Sequence, residues 1–450
     1  MEGRKLVNDE QGAALVKKLG GEFVVIENPS YVHPPYEVQP LASKVKVPVD
    51  RLVAAVMDMD GTTTTTEPLC LHSLETMVRR ITNRPTVKEW EGLDKKADYP
   101  YIIGNSTTKH VEYLVKTYEK NISRGAFARS LLESALWTLI VGKDLKRREE
   151  VRATLVALNW SDLLEDPITR ELLGRNCFDK SESKVEVEKL LKKHKSALQL
   201  ESFTQRVRAA VDIYYCRYHE ILSAIAEGRG QELSAELLGG RRLVEPMPGV
   251  AFFLSLIKGW LGKDAGKLHD VLVEQANPEF RRTAPKNEEA IARLTKLGEY
   301  FHRNPLAVGL VTSSIKYEAD IVLNEIFSIL REQISTWPVR SDLAERFNNP
   351  AEFYDAYITA SDSSEIRLKP HRDLYSIALH AMGLAREDLG AVVGFEDSES
   401  GTIAIRAAGI GLCVALPFAD THGHDFDAAT FTLFGGLPQA VLEHNLFIKP

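Results

Sequence analysis

The chain reads as an α/β protein, a Rossmann-like parallel sheet interrupted by one large all-helical insertion. Three observations predict this. Short apolar, β-branched runs recur at Leu52–Met57, Leu306–Val311, Ala391–Phe395 and Ile410–Leu416, each the length of a strand buried on both faces. The last three alternate with helix-like segments, Tyr317–Arg331 and Asp373–Met382, and strand–helix–strand alternation builds a parallel sheet covered on both sides. Between the first run and the second, residues 69–243 read as helical almost throughout.

At 450 residues two domains are the default expectation. Residues 1–49 carry two proline-rich turns and read as an arm packed on the core. The core takes residues 50–68 and 244–450. Within 69–243, Val111, Leu114, Val115 and Tyr118 fall at helical spacing, as do Phe203, Val207, Ala210, Val211, Tyr214, Ile221, Leu222 and Ile225. The prolines of Glu245-Pro246-Met247-Pro248-Gly249-Val250 break that pattern, and Pro248 can open a new helix. Gly262–Asn304, polar with several turn signals, reads as a further insertion, and Asp355–Ala360 as a further strand.

Hydrophobic content of 44% and charged content of 26% are ordinary for a soluble globular protein. A formal charge of −7 argues against a nucleic-acid or anionic-membrane partner. Cys70, Cys177, Cys216 and Cys413 are scattered and form no C-x-x-C pair, which fits a reducing compartment. Residues 1–21 contain no apolar signal-like stretch, and no apolar run approaches a membrane span. The expectation is a cytoplasmic protein.

Four segments at the carboxyl ends of candidate strands carry chemistry, where open α/β sheets bind ligands. Asp58-Met59-Asp60-Gly61-Thr62 ends the first strand. One of its carboxylates can attack phosphorus and the other can move a proton, although Asp-Gly is also a common turn. Thr312-Ser313-Ser314 follows the second strand, and its hydroxyls and amide groups suit a phosphate oxygen or, alternatively, a helix cap. Lys369-Pro370 precedes a helix, where a lysine can pair a phosphate and a nucleophilic carboxylate together. Glu396-Asp397 closes another strand, and adjacent acids there are oxygen ligands of the kind Mg²⁺ prefers. Together the four form a constellation far more specific than any one of them.

The order and wording of these motifs resemble the haloacid dehalogenase superfamily, and more narrowly its β-phosphoglucomutase-like branch with a helical cap. Asp58-Met59-Asp60-Gly61-Thr62, with Glu67-Pro68 after it, is similar to D-x-D-G-T-L-x-D-S-E-P. Lys369-Pro370-His371-Arg372-Asp373-Leu374-Tyr375 is similar to K-P-x-P-D-x-Y. Glu396-Asp397-Ser398, followed by Gly401, Ala404, Ala407, Ala408 and Gly409, is similar to E-D-S-x-x-G-x-x-A-x-x-A-G, and Pro248-Gly249-Val250 to the P-G-V after the cap. The resemblance implies Asp58 as nucleophile and Asp60 as general acid/base. It implies Thr312 and Lys369 as phosphate binders, with Ser313 beside them. For Mg²⁺ it implies Asp397 and Glu396 as ligands beside Asp58 and the Asp60 carbonyl. Threonines 63–66 replace the usual L-x-D-S, Arg372 stands where proline is common, and residues 69–243 exceed the compact cap of that branch.

The expected function is therefore a Mg²⁺-dependent phosphatase acting on a small phosphorylated metabolite, a sugar phosphate or similar, through an aspartyl-phosphate. A phosphomutase using the same residues is one alternative, and a non-catalytic binding or scaffold protein is another. A halide-releasing dehalogenase or a phosphonatase has no need of Asp60. Glu67, Asn105 and Lys109 are candidate substrate contacts in or beside the helical region. Thr421-His422-Gly423-His424-Asp425 reads as a surface loop rather than a metal site. Lys184–Lys195 reads as a solvated helix face, and Tyr214, Tyr215 and Tyr218 as core. Lys316 is a further candidate for the phosphate site.

Overall fold

A computed structural model of the chain describes residues 6–28, 32–86, 88–103, 107–339, 341–364, 367–418, 421 and 423–449. The chain divides into two compact units, one made of Met1–Thr65 and Val244–Pro450, the other of Thr66–Leu243.

The first unit holds both sheets. β1 (Phe23–Glu27) and β2 (Tyr36–Pro40) form an antiparallel hairpin, with Val25 opposite Val38. The main sheet contains β3 (Ala54–Asp58), β4 (Ala307–Val311), β5 (Ala356–Ile358), β6 (Val392–Glu396), β7 (Leu412–Ala415) and β8 (Phe431–Thr432). All its pairings are parallel, in the order β5-β4-β3-β6-β7-β8. β3 and β6 are buried along their whole length, as the unbroken apolar runs require of central strands. After β5 the chain crosses from one side of β3 to the other. The carboxyl ends of β3 and β6 therefore flank the point where strand order reverses, the place where such sheets bind ligands.

The amino-terminal arm is anchored by Arg406, on the helix Glu399–Ala407. This guanidinium is fully buried. It donates to the carbonyls of Ala42 and Ala428, each at 2.6 Å, and pairs with Glu22. A second tie runs from Glu37 on β2 to Arg367 at 2.9 Å, and from Arg367 to Asp373 at 2.8 Å.

Gly262–Asn304, whose sequence shows several turn signals, lies before β4. It is largely helical, with a 3₁₀ segment at Gly262–Leu268 and helices His269–Gln275, Pro278–Thr283 and Glu288–Arg303. Its turn signals are helix caps. The side chain of Asn277 accepts from the Phe280 amide at 2.8 Å, and that of Asn287 from the Ala290 amide at 2.9 Å, satisfying donors that a helix start leaves open. Ala290, Leu294, Leu297 and Phe301 then bury one face of the last helix. Gly249 rather than Pro248 caps the helix Val250–Ile257; its φ of +82° suits glycine.

The second unit is built entirely of helices among the described residues. Its longest, Phe203–Ala226, opens with a capping box between Ser202 and Gln205. Tyr214 and Tyr218 are buried and stacked with centroids 5.9 Å apart, and the Tyr214 hydroxyl meets Cys70 Sγ at 3.3 Å. No described helix is long and apolar enough to cross a membrane.

Where the chain leaves the sheet unit and returns to it, the two passes are fastened. The Thr65 amide donates to the Glu245 carbonyl at 2.8 Å, the Glu245 amide to Thr65 Oγ1 at 2.9 Å, and the Met247 amide to the Thr63 carbonyl at 3.0 Å.

Candidate active site

β3 ends on Asp58, opposite Val311 of β4, and Met57 lies opposite Phe395 of β6. This register brings Asp58, Thr312 and Glu396 to one edge of the sheet. The turn that follows is tight. The Gly61 amide donates to the Thr64 carbonyl, and the Thr63 and Thr64 amides both donate to the Met59 carbonyl, at 2.8–2.9 Å. Gly61 has φ +85°, and a Cβ there would lie 2.5 Å from Asp397 Oδ2. Only glycine allows both the backbone conformation and the approach of that acid.

Three threonines of this turn are structural. Thr63 Oγ1 donates to the Asp58 carbonyl at 2.7 Å and Thr64 Oγ1 to the Met59 carbonyl at 3.2 Å. Thr62 Oγ1 donates to Asp397 Oδ1 at 3.4 Å. All three are buried, and each hydroxyl has a partner, as burial demands.

Asp58 is 4% exposed and ion-pairs with Lys369. Lys369 also donates to Glu396 Oε1 at 2.6 Å. Burial, then the negative charge of Glu396, push the Asp58 carboxyl well above the usual range, with Lys369 opposing. Burial works against the Lys369 ammonium, but Asp58 and Glu396 outweigh it and hold its pKa above the ordinary lysine value. Asp60 faces elsewhere. Its Oδ2 accepts from Thr312 Oγ1 at 3.0 Å and from Ser314 Oγ at 3.1 Å.

One oxygen from each of Asp58, Glu396 and Asp397 lies within 4.8 Å of the others, and all three residues are buried. Lys369 brings one positive charge to these acids. Collecting several carboxylates out of water is costly without matching cations, and an all-oxygen set of this size suits Mg²⁺. The side chain of Asp60 is not in this group. Glu396 is already heavily engaged. Its Oε2 accepts from the Asp397 amide, the Ser398 amide and Ser398 Oγ at 3.0–3.1 Å. Gly401 makes room for it, since a Cβ there would fall 1.8 Å from the Glu396 carboxyl carbon.

Of the residues singled out in the sequence, Asp58, Lys369, Glu396 and Asp397 come together, and Asp60 and Thr312 meet beside them. Ser313 is exposed; Ser314 is the serine that reaches Asp60, a distinction that three consecutive hydroxyl residues do not reveal. Lys316 turns to Asp320 at 3.0 Å and to the ring of Tyr357. Glu67 is the first residue of the helix Glu67–Thr82, and Lys109 is exposed on the helix Thr107–Thr117. Asn105 and His422 lie outside the described residues. Tyr375 and Ser398, part of the quoted motifs but given no role there, both hydrogen-bond Glu396.

No protein-family model matches this chain, and no curated protein does. Similar solved structures include CbbY from Rhodobacter sphaeroides in complex with phosphate, at 12% identity over 85% of this chain and 93% of that one, with a TM-score of 0.37. A HAD family hydrolase from Deinococcus radiodurans R1, with bound phosphate and sodium, shares 14% identity over 90% of this chain and all of its own, at a TM-score of 0.36. β-Phosphoglucomutase from Clostridium difficile shares 13% over 86% and 92%, at 0.32. At such scores the likeness assigns neither activity nor ligand to this chain.

Proposed function

We propose that this chain is a phosphomonoester hydrolase of the haloacid dehalogenase superfamily, using Mg²⁺ and acting on a small phosphorylated metabolite such as a sugar phosphate. The observation that carries the reading is the Asp58 carboxylate, held by Lys369 at the end of the central strand with Asp60 fixed beside it by two hydroxyls.

In this reading an Asp58 oxygen attacks phosphorus. The P–O bond to the leaving alcohol breaks as Asp60 gives that oxygen a proton. Asp60 then takes a proton from water, which attacks the aspartyl-phosphate, releases inorganic phosphate and restores Asp58. Lys369 holds Asp58 in line and offsets the charge gathering on the phosphoryl oxygens. Thr312 and Ser314 keep the Asp60 carboxyl in one orientation. Mg²⁺, held by Asp58 and Asp397 with Glu396 alongside, supplies charge neutralisation of the phosphoryl group when bound.

The test is release of inorganic phosphate from an aryl phosphate with and without Mg²⁺, followed by a panel of phosphorylated metabolites. Asp58→Asn is expected to lower kcat on the order of 10⁴-fold or more. Turnover that survives this substitution, or that persists in excess chelator, overturns the mechanism.

A further inference from the structure

Five donors converge on the Glu396 carboxylate. Oε1 accepts from Lys369 Nζ at 2.6 Å and from the Tyr375 hydroxyl at 3.1 Å; Oε2 accepts from two backbone amides and from Ser398 Oγ. A carboxylate offers about four lone-pair directions, so this one is full. Four of the five donors are fixed by covalent neighbours or belong to the proposed machinery. The fifth is Tyr375, on the helix Asp373–Ala381 that follows the Lys369 loop.

Tyr375 is fully buried, and a buried phenol must spend its proton on a protein acceptor. It does so on Glu396, while its ring lies under the ammonium of Lys369, with Nζ 5.4 Å from the centroid. One side chain therefore touches two of the three members of the chain Glu396–Lys369–Asp58. The hydroxyl occupies one lone pair of Oε1 and leaves the other to the lysine. The ring face beside Nζ favours the charged amine.

We propose that Tyr375 is a positioning residue for the phosphoryl-transfer site: through Glu396 and its own ring face it directs Lys369 at Asp58. Removing the hydroxyl frees a lone pair on Oε1, so that Glu396 can rotate and draw the ammonium to itself, away from Asp58. The inference rests on the reading of Asp58 as nucleophile. It goes further in assigning a role to a residue that touches neither the nucleophile nor the phosphate.

Tyr375→Phe deletes the hydroxyl and keeps the ring. With an aryl phosphate and saturating Mg²⁺, kcat should fall about tenfold while KM changes by less than about twofold. In a Glu396→Gln background the same change should cost little, because the residue acts through that carboxylate. Equal losses in both backgrounds, or an unchanged kcat in a wild-type protein whose turnover depends on Asp58, overturn the proposal. A readout independent of turnover is the crystal structure of Tyr375→Phe. Glu396 should have turned, and Lys369 Nζ should lie beyond about 3.5 Å from Asp58; an intact Lys369–Asp58 contact overturns the proposal even if the protein hydrolyses nothing. Absence of turnover in the wild type, with Lys369 displaced in the variant, sinks the phosphatase reading and leaves the positioning role standing.

Discussion

In the helical unit, Arg147 and Asp212 are 8% and 2% exposed and pair directly, with Glu150 accepting a second bond from the same guanidinium at 2.7 Å and the ring of Tyr215 lying 4.4 Å from it. In the sheet unit, Asp58, Glu396 and Asp397 are buried just as deeply around Lys369. Depth of burial therefore separates nothing. What differs is stoichiometry. Arg147 answers the one deeply buried acid beside it, since Glu150 is 45% exposed, and such a pair belongs to the architecture. Three carboxylates lie within 4.8 Å of one another, and two of them, Asp58 and Glu396, share the single ammonium of Lys369. They stand at the carboxyl ends of the strands, where open α/β sheets bind ligands, and the proposed site rests on that place.

The largest test of this contrast is Arg147→Ala. Breaking a closed pair leaves Asp212 buried and uncompensated, which should cost about 3–5 kcal/mol, read by urea unfolding. The double change Arg147→Met with Asp212→Leu should recover most of that. A cost below about 1 kcal/mol for the single change would mean that the pair is not a structural unit. By contrast, Asp58→Asn removes a charge from a crowded set, and it should leave the metal-free protein as stable as before or more so.

A smaller effect separates the units by pH. Burial, then Arg217, Arg79 and Arg80, lower the pKa of His72 to about 4, and Arg217 meets its Nε2 at 3.4 Å. Between that value and the ordinary histidine value near 6.5, the unfolded chain holds a proton that the folded chain refuses. Stability therefore falls as pH falls through this window. After allowance for partial exposure the loss is about 1–2 kcal/mol. Unfolding midpoints at the two ends of the window, for wild type and His72→Gln, check it: the variant should lose less, and equal losses would place the sensitivity elsewhere.

The smallest expected effect is at the arm. Glu37 and Arg367 are about one-third exposed, so Glu37→Gln should cost about 0.5 kcal/mol and leave kcat within about twofold. A tenfold loss of kcat would instead make the hairpin part of the machinery that holds the Lys369 loop.

The strands of the main sheet were legible because a central parallel strand has no polar face, so Ala54–Asp58 and Val392–Glu396 appear as unbroken apolar runs ending in acids. β8 spans two residues, too few for any pattern. The helices of Gly262–Asn304 were not legible because asparagine and proline at helix starts look the same as asparagine and proline in loops. At the site, residue type could suggest Asp58 and Lys369 as partners. It could not choose between Ser313 and Ser314, which depends on how the backbone turns after β4. Tyr375 was visible as the last residue of the motif that begins at Lys369, but its hydroxyl gains meaning only once β6 places Glu396 beside it.

The fastening of Thr65 to Glu245 has a consequence for how this chain can vary. To the sheet, everything from Thr66 to Leu243 is a hairpin loop whose mouth is already closed by hydrogen bonds. Closure entropy rises only with the logarithm of loop length. Helices can therefore be added, lost or exchanged within that loop with little strain at its mouth. The junction is a socket, and its hydrogen bonds are made between residues of the sheet unit itself, Thr63 and Thr65 on one pass and Glu245 and Met247 on the other.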